Sequence, residues 1–355
     1  MIRVLIVDDS KVVQEFLYHV LSSDPEIQIV GVANSGEEAI EMVRMNEPDV
    51  ITMDIHMPGI DGYETTRKIM EVSPTPIVIV SGSLTIKEEA NIFRSLEAGA
   101  LAVVQRPAGI GNPESALSQR ELIKTVKLMS KVKITRLFPP GRKPQIEQTE
   151  PSAFVQPFEN YLKRIQVIAI GASTGGPIIL QRILSRLPED LPVPVLIVQH
   201  IAAGFGRPLI EWLSFTSGIK LKLAIDGESI LAGTGYIAPD HFHMEITNDR
   251  KIRLNSKGPE NVAKPSINSL FHSVALSYGM NALGVLLTGI GSDGTEELKF
   301  MKEKGGLTLV QDEASSTVYD LPREALRIGA ADLSFSPERI AAFLAKSGSN
   351  KTTNE

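Results

Sequence analysis

This 355-residue sequence predicts an α/β chain with two separate parallel sheets, and three observations predict it. Short aliphatic runs alternate with segments of helical periodicity over residues 1–130, and the same alternation returns over 164–346. Between them, residues 131–163 lack periodic apolar sequence and carry Pro139, Pro140, Gly141, Pro144, Pro151 and Pro157, the composition of a linker. The polar residues most suited to chemistry stand directly after the strand-like runs, at the sheet edge where α/β proteins collect their ligands.

In the first half, strands are expected at 4–7, 27–33, 50–53, 77–80 and 101–104, with helices near 11–22, 36–46, 62–72, 86–97 and 117–131. Five strand–helix repeats imply a five-stranded, doubly wound parallel sheet. In the linker, Phe154, Phe158 and Tyr161 are candidates for docking onto a folded neighbour. In the second half, strands are expected near 166–170, 194–199, 235–238, 283–288 and 307–310, again doubly wound. Residues 347–355 are small and polar and read as a flexible tail.

Composition narrows the function classes. Apolar residues make up 43% and charged residues 22%, so each half can bury a core. A formal net charge of -6 argues against nucleic acid or an anionic membrane as the main partner, and the second half shows no compact helix-turn-helix with a basic face. Zero cysteines exclude disulfides, thiolate metal sites and cysteine nucleophiles. The opening run Ile2–Val7 is too short for a signal sequence and ends in Asp8 and Asp9, and no apolar run approaches the roughly 20 residues that span a bilayer. A cytoplasmic location without membrane insertion is expected.

The first half ends strand one in Asp8-Asp9, strand three in Asp54 and strand four in Ser81, while Arg106 follows strand five. Parallel strands deliver these groups to one edge. Clustered carboxylates repel unless a cation joins them, and an oxygen-rich site with open positions suits Mg²⁺. In its order of acid pair, acid, hydroxyl and cation, the segment resembles the receiver domain of two-component response regulators, with its flavodoxin-like fold. The resemblance implies phosphoryl transfer from a histidine kinase onto Asp54. It also implies Mg²⁺ held by Asp8 or Asp9, Asp54 and the backbone carbonyl of His56, and a switch formed by Ser81 and Arg106. Arg106 stands where receivers usually carry Lys, and Val103 where an aromatic switch residue is frequent.

In the second half, the apolar run 167–170 enters Gly171-Ala-Ser-Thr-Gly-Gly176, and Pro177 suits the first turn of a helix. A serine on such a strand-to-helix turn has an exposed hydroxyl beside free helix amides. This loop suits either an attacking nucleophile or a phosphate cradle. A dinucleotide site needs a middle glycine where Ser173 stands and an acid after the second strand, where Gln199 and His200 stand instead. His200 is placed as a general base, and Asp293 follows a later strand in Gly289-Ile-Gly-Ser-Asp-Gly294. Asp293 also precedes Glu296 by three residues, the spacing of a helix N-cap. The order Ser…His…Asp departs from the Ser…Asp…His order of α/β-hydrolases. A rival set would pair Asp226 or Asp240 with His241, His243 or His272.

These loops, with Tyr236-Ile-Ala-Pro239, Pro265-Ser266, Gln311-Asp-Glu313 and Pro322-Arg-Glu-Ala325, resemble the catalytic domain of chemotaxis protein-glutamate methylesterases of the CheB type. The match runs from about 165 to 343 behind a receiver, as in that family. The resemblance implies a serine hydrolase, needing no metal for ester hydrolysis, that demethylates γ-glutamyl methyl esters on methyl-accepting chemoreceptors and deamidates glutamines. Carried over, Ser173 is the nucleophile, His200 the general base and Asp293 the orienting carboxylate. The backbone amides at Thr174 and Ile290 form the oxyanion hole. Ile290 replaces a usual methionine, Lys264 and Asn268 replace Arg and Asp around Pro-Ser, and Asp320-Leu321 replaces Gly-Met. Two alternatives stay open at this point: a receptor outside chemotaxis, and an inert response-regulator binding module.

Overall fold

The computed structural model describes residues 1–82, 86–107, 115–132, 134, 156–257 and 264–348. The chain divides into two compact units, Met1–Gln145 and Ile146–Glu355.

In the first unit, strands β1 (Ile2–Val7), β2 (Ile27–Ala33), β3 (Val50–Met53), β4 (Ile77–Ser81) and β5 (Ala102–Gln105) form one sheet in the order β2-β1-β3-β4-β5. Every pairing is parallel. Helices α1 (Lys11–Ser22), α2 (Gly36–Asn46), α3 (Gly62–Val72), α4 (Ile86–Glu97) and α5 (Ser115–Met129) connect and follow the strands. β3 and β4 are wholly buried, as is β1 from Val4 onward, which explains their largely aliphatic sequence. Local chemistry sets the helix starts: the Ser35 hydroxyl accepts from the Glu38 amide and the Asp61 carboxylate from the Glu64 amide. Val7 pairs with Met53, so Asp8 and Asp54 leave the sheet side by side.

The second unit begins with a single 3₁₀ turn (Gln156–Phe158) and α6 (Glu159–Arg164). Strands β6 (Val167–Ala172), β7 (Val195–Gln199), β8 (Lys220–Leu223), β9 (Thr234–Ile237), β12 (Ala282–Leu286), β13 (Leu307–Gln311) and β14 (Leu333–Phe335) form a seven-stranded parallel sheet, ordered β14-β13-β12-β6-β7-β9-β8. A separate antiparallel hairpin joins β10 (His243–Ile246) to β11 (Ile252–Asn255). The helices are α7 (Gly176–Leu184), α8 (Gly206–Ser214), α9 (Ile267–Tyr278), α10 (Thr295–Glu303), α11 (Asp320–Arg327) and α12 (Pro337–Leu344). The core collects Val167, Leu196, Phe271, Val274 and Leu286, all fully buried, around the sheet's centre. The strand order reverses between β6 and β12, and ligands bind at such a switch point, outside the carboxyl ends.

Three expectations change. The second sheet has seven strands, not five: β8 and β14 are edge strands, short and partly exposed, so they lack the continuous apolar run that marks a buried strand. The linker expectation, 131–163, overlaps folded structure at its end. There Leu162 is buried in the second unit and Phe158 packs edge-on against Phe343, with ring centroids 5.8 Å apart. Tyr161 lies 6.4 Å from the Phe158 ring; Phe154 falls outside the described residues. The tail expectation, 347–355, starts two residues early. Ser347 is fully buried, and the Gly348 amide donates to the Leu162 carbonyl at 2.8 Å, tying the residues after α12 to α6.

Candidate active site

Ser173, His200 and the loop holding Asp293 follow three adjacent strands, β6, β7 and β12. Their alignment follows from the backbone ladder. The His200 amide donates to the Ala172 carbonyl at 2.9 Å, and the Ser173 amide to the Thr288 carbonyl at 3.0 Å. β6 turns sharply into α7 through Gly175, whose φ of 79° suits glycine, and a Cβ there would meet Thr317 Oγ1 at 2.5 Å. The Gly176 amide closes the turn onto the Ser173 carbonyl at 2.8 Å.

His200 Nε2 lies 2.9 Å from Asp293 Oδ2, a short contact that falls off the ring N–H direction. Nδ1 is therefore the ring nitrogen left for a second partner. The Ser173 hydroxyl, largely buried, makes no hydrogen bond among the described residues. Apo sites often hold catalytic bonds loosely and tighten them around substrate.

Asp293 is held from every side. Oδ1 accepts from the Ser266 hydroxyl at 2.9 Å and the Asn268 amide at 3.1 Å, and Oδ2 from the Ile267 amide at 2.7 Å. Burial alone would raise its pKa. The close contact and charge of His200, with the Ile267 and Asn268 amides, more than offset that and hold the carboxyl below its ordinary value. The N-cap expectation for Asp293 changes accordingly. Gly294 is the N-cap of the helix that follows, and Asp293 instead meets the first amides of α9, a helix distant in sequence. That contact adds the positive end of a helix dipole to the carboxylate's surroundings.

The proposed oxyanion donors are open. Neither the Thr174 nor the Ile290 amide donates to an acceptor among the described residues. The two loops are packed tightly, because a Cβ on Gly289 would lie 2.5 Å from Ser173 Cβ and 2.6 Å from Leu321 Cδ1. Three of the rival residues have other partners. Asp226 accepts from the Leu254 amide, Asp240 from the Gly204 amide, and His272 pairs with Glu297 at 2.8 Å while stacking on Phe300. His243 is buried in the hairpin, and burial chiefly lowers its pKa.

Three supporting roles were not read from the sequence. Gln199, buried at the end of β7, donates from Nε2 to both the Ser173 and His200 carbonyls, each at 2.8 Å. The Thr288 hydroxyl lies 3.0 Å from the Thr174 carbonyl and accepts from the Val318 amide at 2.9 Å. Gln311 Oε1 accepts from the Thr288 amide while Nε2 donates to the Ser315 carbonyl. A glutamine closing a wholly buried strand is the signal that Gln199 and Gln311 share.

In the first unit, carboxylate oxygens of Asp8, Asp9 and Asp54 lie within 4.8 Å of one another. Arg106 reaches Asp8 Oδ2 and Asp54 Oδ1, each at 3.4 Å, and its amide donates to the Ser81 carbonyl. Burial, then the neighbouring Asp8 charge, pushes Asp54 up to about 6 against the pull of Arg106. Burial also raises Asp8. Ser81 is buried, whereas the His56 side chain is exposed, so only its main chain is suited to the cluster. Three hard oxygen donors whose charges repel in a partly buried pocket fit Mg²⁺.

A 2-1-3-4-5 parallel sheet with clustered acids at its edge, followed by an α/β unit with a serine at its switch point, defines a response regulator with a hydrolase-type output. Residues 4–117 match the response regulator receiver domain family and residues 168–344 the CheB methylesterase family. Over 346 residues the chain is 48% identical to "Protein-glutamate methylesterase/protein-glutamine glutaminase 1" of Syntrophus aciditrophicus (strain SB), covering 98% of each chain. It is 46% identical over 345 residues to the enzyme numbered 4 under that name from Geobacter metallireducens, with 97% of this chain and 98% of the relative covered. A relative of the same name from Nitrosospira multiformis is 46% identical over 346 residues, covering 97% and 96%. The chain belongs to the CheB methylesterase family, in the form that carries an N-terminal receiver domain. Among the described residues, no helix is long and apolar enough to cross a membrane.

Proposed function

We propose that this protein is a phosphorylation-regulated serine hydrolase that demethylates γ-glutamyl methyl esters on chemoreceptors and deamidates glutamines at such sites. The observation that carries the reading is the 2.9 Å contact between His200 Nε2 and Asp293 Oδ2 beside the Ser173 turn. Ser173 Oγ attacks the γ-carbonyl carbon while His200 Nδ1 takes its proton, and Asp293 stabilises the imidazolium through Nε2. The Thr174 and Ile290 amides receive the oxyanion; one such donor contributes about 10²–10³ in rate. The C–O bond to the methoxy group then breaks, and His200 returns the proton so that methanol leaves. Water repeats the attack on the acyl-enzyme, giving glutamate and free Ser173. From a glutamine the leaving group is ammonia.

The first unit supplies the control. A histidine kinase donates a phosphoryl group to Asp54, with Ser81 and Arg106 placed to meet its oxygens. Asp8, Asp9, Asp54 and the His56 carbonyl would hold Mg²⁺, which offsets the charge of the incoming phosphate. The proposed place of action is the cytoplasm, where the receptor helices and the kinase lie.

Methanol release from a methylated receptor fragment, with and without a small phosphodonor, tests the whole reading. Ser173→Ala should lower the rate by about 10³-fold or more. Asp54→Asn should leave basal release and abolish the phosphodonor's effect. An inactive wild type would sink the hydrolase reading, and a phosphodonor response surviving in Asp54→Asn would sink the switch.

A further inference from the structure

The geometry points to Gln199 as a positioning residue for the oxyanion hole, acting through the peptide plane between Ser173 and Thr174. This inference rests on the proposed role of the Thr174 amide. A trans peptide is planar, so its carbonyl and its N–H point in opposite directions. The carbonyl of this plane belongs to Ser173, and the N–H is the Thr174 donor. Gln199 Nε2 holds that carbonyl at 2.8 Å, as does the Gly176 amide on the helix side. Pinning the carbonyl fixes the direction of the Thr174 N–H, opposite to it.

The Gln199 side chain is itself fixed. Its two N–H groups go to the carbonyls of Ser173 and His200, each at 2.8 Å, so one amide spans the nucleophile's turn and the base's strand end. The residue is 4% exposed. The opposite orientation of the amide would set Oε1 against two carbonyl oxygens, which fixes the assignment of nitrogen and oxygen. Oε1 is buried without a hydrogen-bond partner, over the site where Gly176 lacks a side chain; a Cβ there would lie 2.1 Å from it. A buried amide left half-satisfied is costly for the fold, and its retained half acts on the two peptides nearest the reacting atoms.

The second proposed donor is built on the same plan. The carbonyl sharing a plane with the Ile290 N–H is that of Gly289, which accepts from the Leu321 amide at 3.2 Å. One donor is therefore aimed by a side chain and the other by the main chain. The side-chain-aimed one is open to mutation.

The test uses the full chain, with Gln199→Met removing both donors at similar volume and Gln199→Glu setting an acceptor against both carbonyls. Each should lower kcat about 10- to 100-fold, the Glu variant more, with KM within about threefold of wild type. A boronic acid that forms a tetrahedral adduct with Ser173 should bind each variant more weakly, by the same factor as kcat/KM falls. Melting curves separate this from global damage. In wild-type chain labelled with ¹⁵N-threonine, the Thr174 amide resonance should shift when the boronate binds. Failure of that shift would remove Thr174 as a donor and overturn the parent reading. A shift in wild type, with boronate affinity unchanged in both variants, would overturn the role of Gln199 alone. Should either variant fail to fold, the other decides, and an activity loss without loss of boronate affinity counts against the proposal.

Discussion

Asp54 sits where its charge is penalised, since burial and the Asp8 carboxylate push its pKa up to about 6. The sign follows from proton linkage. Folded Asp54 holds a proton at pH values where the unfolded residue has already lost it, so this stability term is present below about pH 4 and is lost as pH rises through about 6. The shift corresponds to roughly 3 kcal/mol in the receiver unit. Asp54→Asn should therefore raise the receiver's melting point at pH 7.5, with little gain at pH 4; equal gains at both would refute the charge penalty. Asp293 behaves oppositely. Its lowered pKa contributes stability above the unfolded value, and that contribution is lost as pH falls through the folded value. Asp293→Asn should lower kcat by about 10³–10⁴-fold. It should also lower the melting point, because the same carboxylate receives the Ile267 and Asn268 amides. A change in kcat with an unaltered melting curve would show that α9 does not depend on it.

At the scale of elements, the site is three strand ends held at fixed spacing by what packs between them. Gly289 is a tight point, with Ser173 Cβ and Leu321 Cδ1 both within 2.6 Å of any added Cβ. Gly289→Ala should displace the serine turn and cost about 1–3 kcal/mol of stability, with a larger proportional loss of kcat. Urea unfolding with methanol release measures both, and a variant that keeps full activity would refute this account of the turn. The loops with chemical side chains were legible beforehand because glycine, serine, histidine and aspartate after apolar runs carry a direct signal. Gln199 and Thr288 were not, since each acts through a carbonyl that only the folded backbone brings near. The edge strands β8 and β14 were missed for a related reason: half-exposed strands of three or four residues leave too little apolar pattern.

At the scale of the molecule, the boundary between linker and second unit bears on any dissection of the chain. Leu162 is buried, Phe158 packs on Phe343, and Gly348 bonds back to Leu162. A fragment starting at residue 156 should be more stable than one starting at Arg164, by about 1.5–3 kcal/mol for the Leu162 side chain alone. Thermal melting of the two fragments checks this; identical midpoints would mean α6 adds nothing. If the receiver restrains the second unit, the 156–348 fragment should release methanol faster than unphosphorylated full-length protein. Equal rates would argue against such restraint.

The sequence alone determined that there are two α/β units, which residues close the strands, and that Ser173, His200, Asp293 and Asp54 are the groups to weigh. Strand periodicity and glycine-rich turns are local properties, written in adjacent residues. Only the tertiary structure decided that Asp293 receives the first amides of α9 while touching His200, that Gln199 bridges the Ser173 and His200 loops, and that Asp54 is buried enough to resist its own charge. Each of these depends on distances between strands far apart in the chain, and on the solvent excluded when they pack together. Neither quantity exists until the sheet has formed.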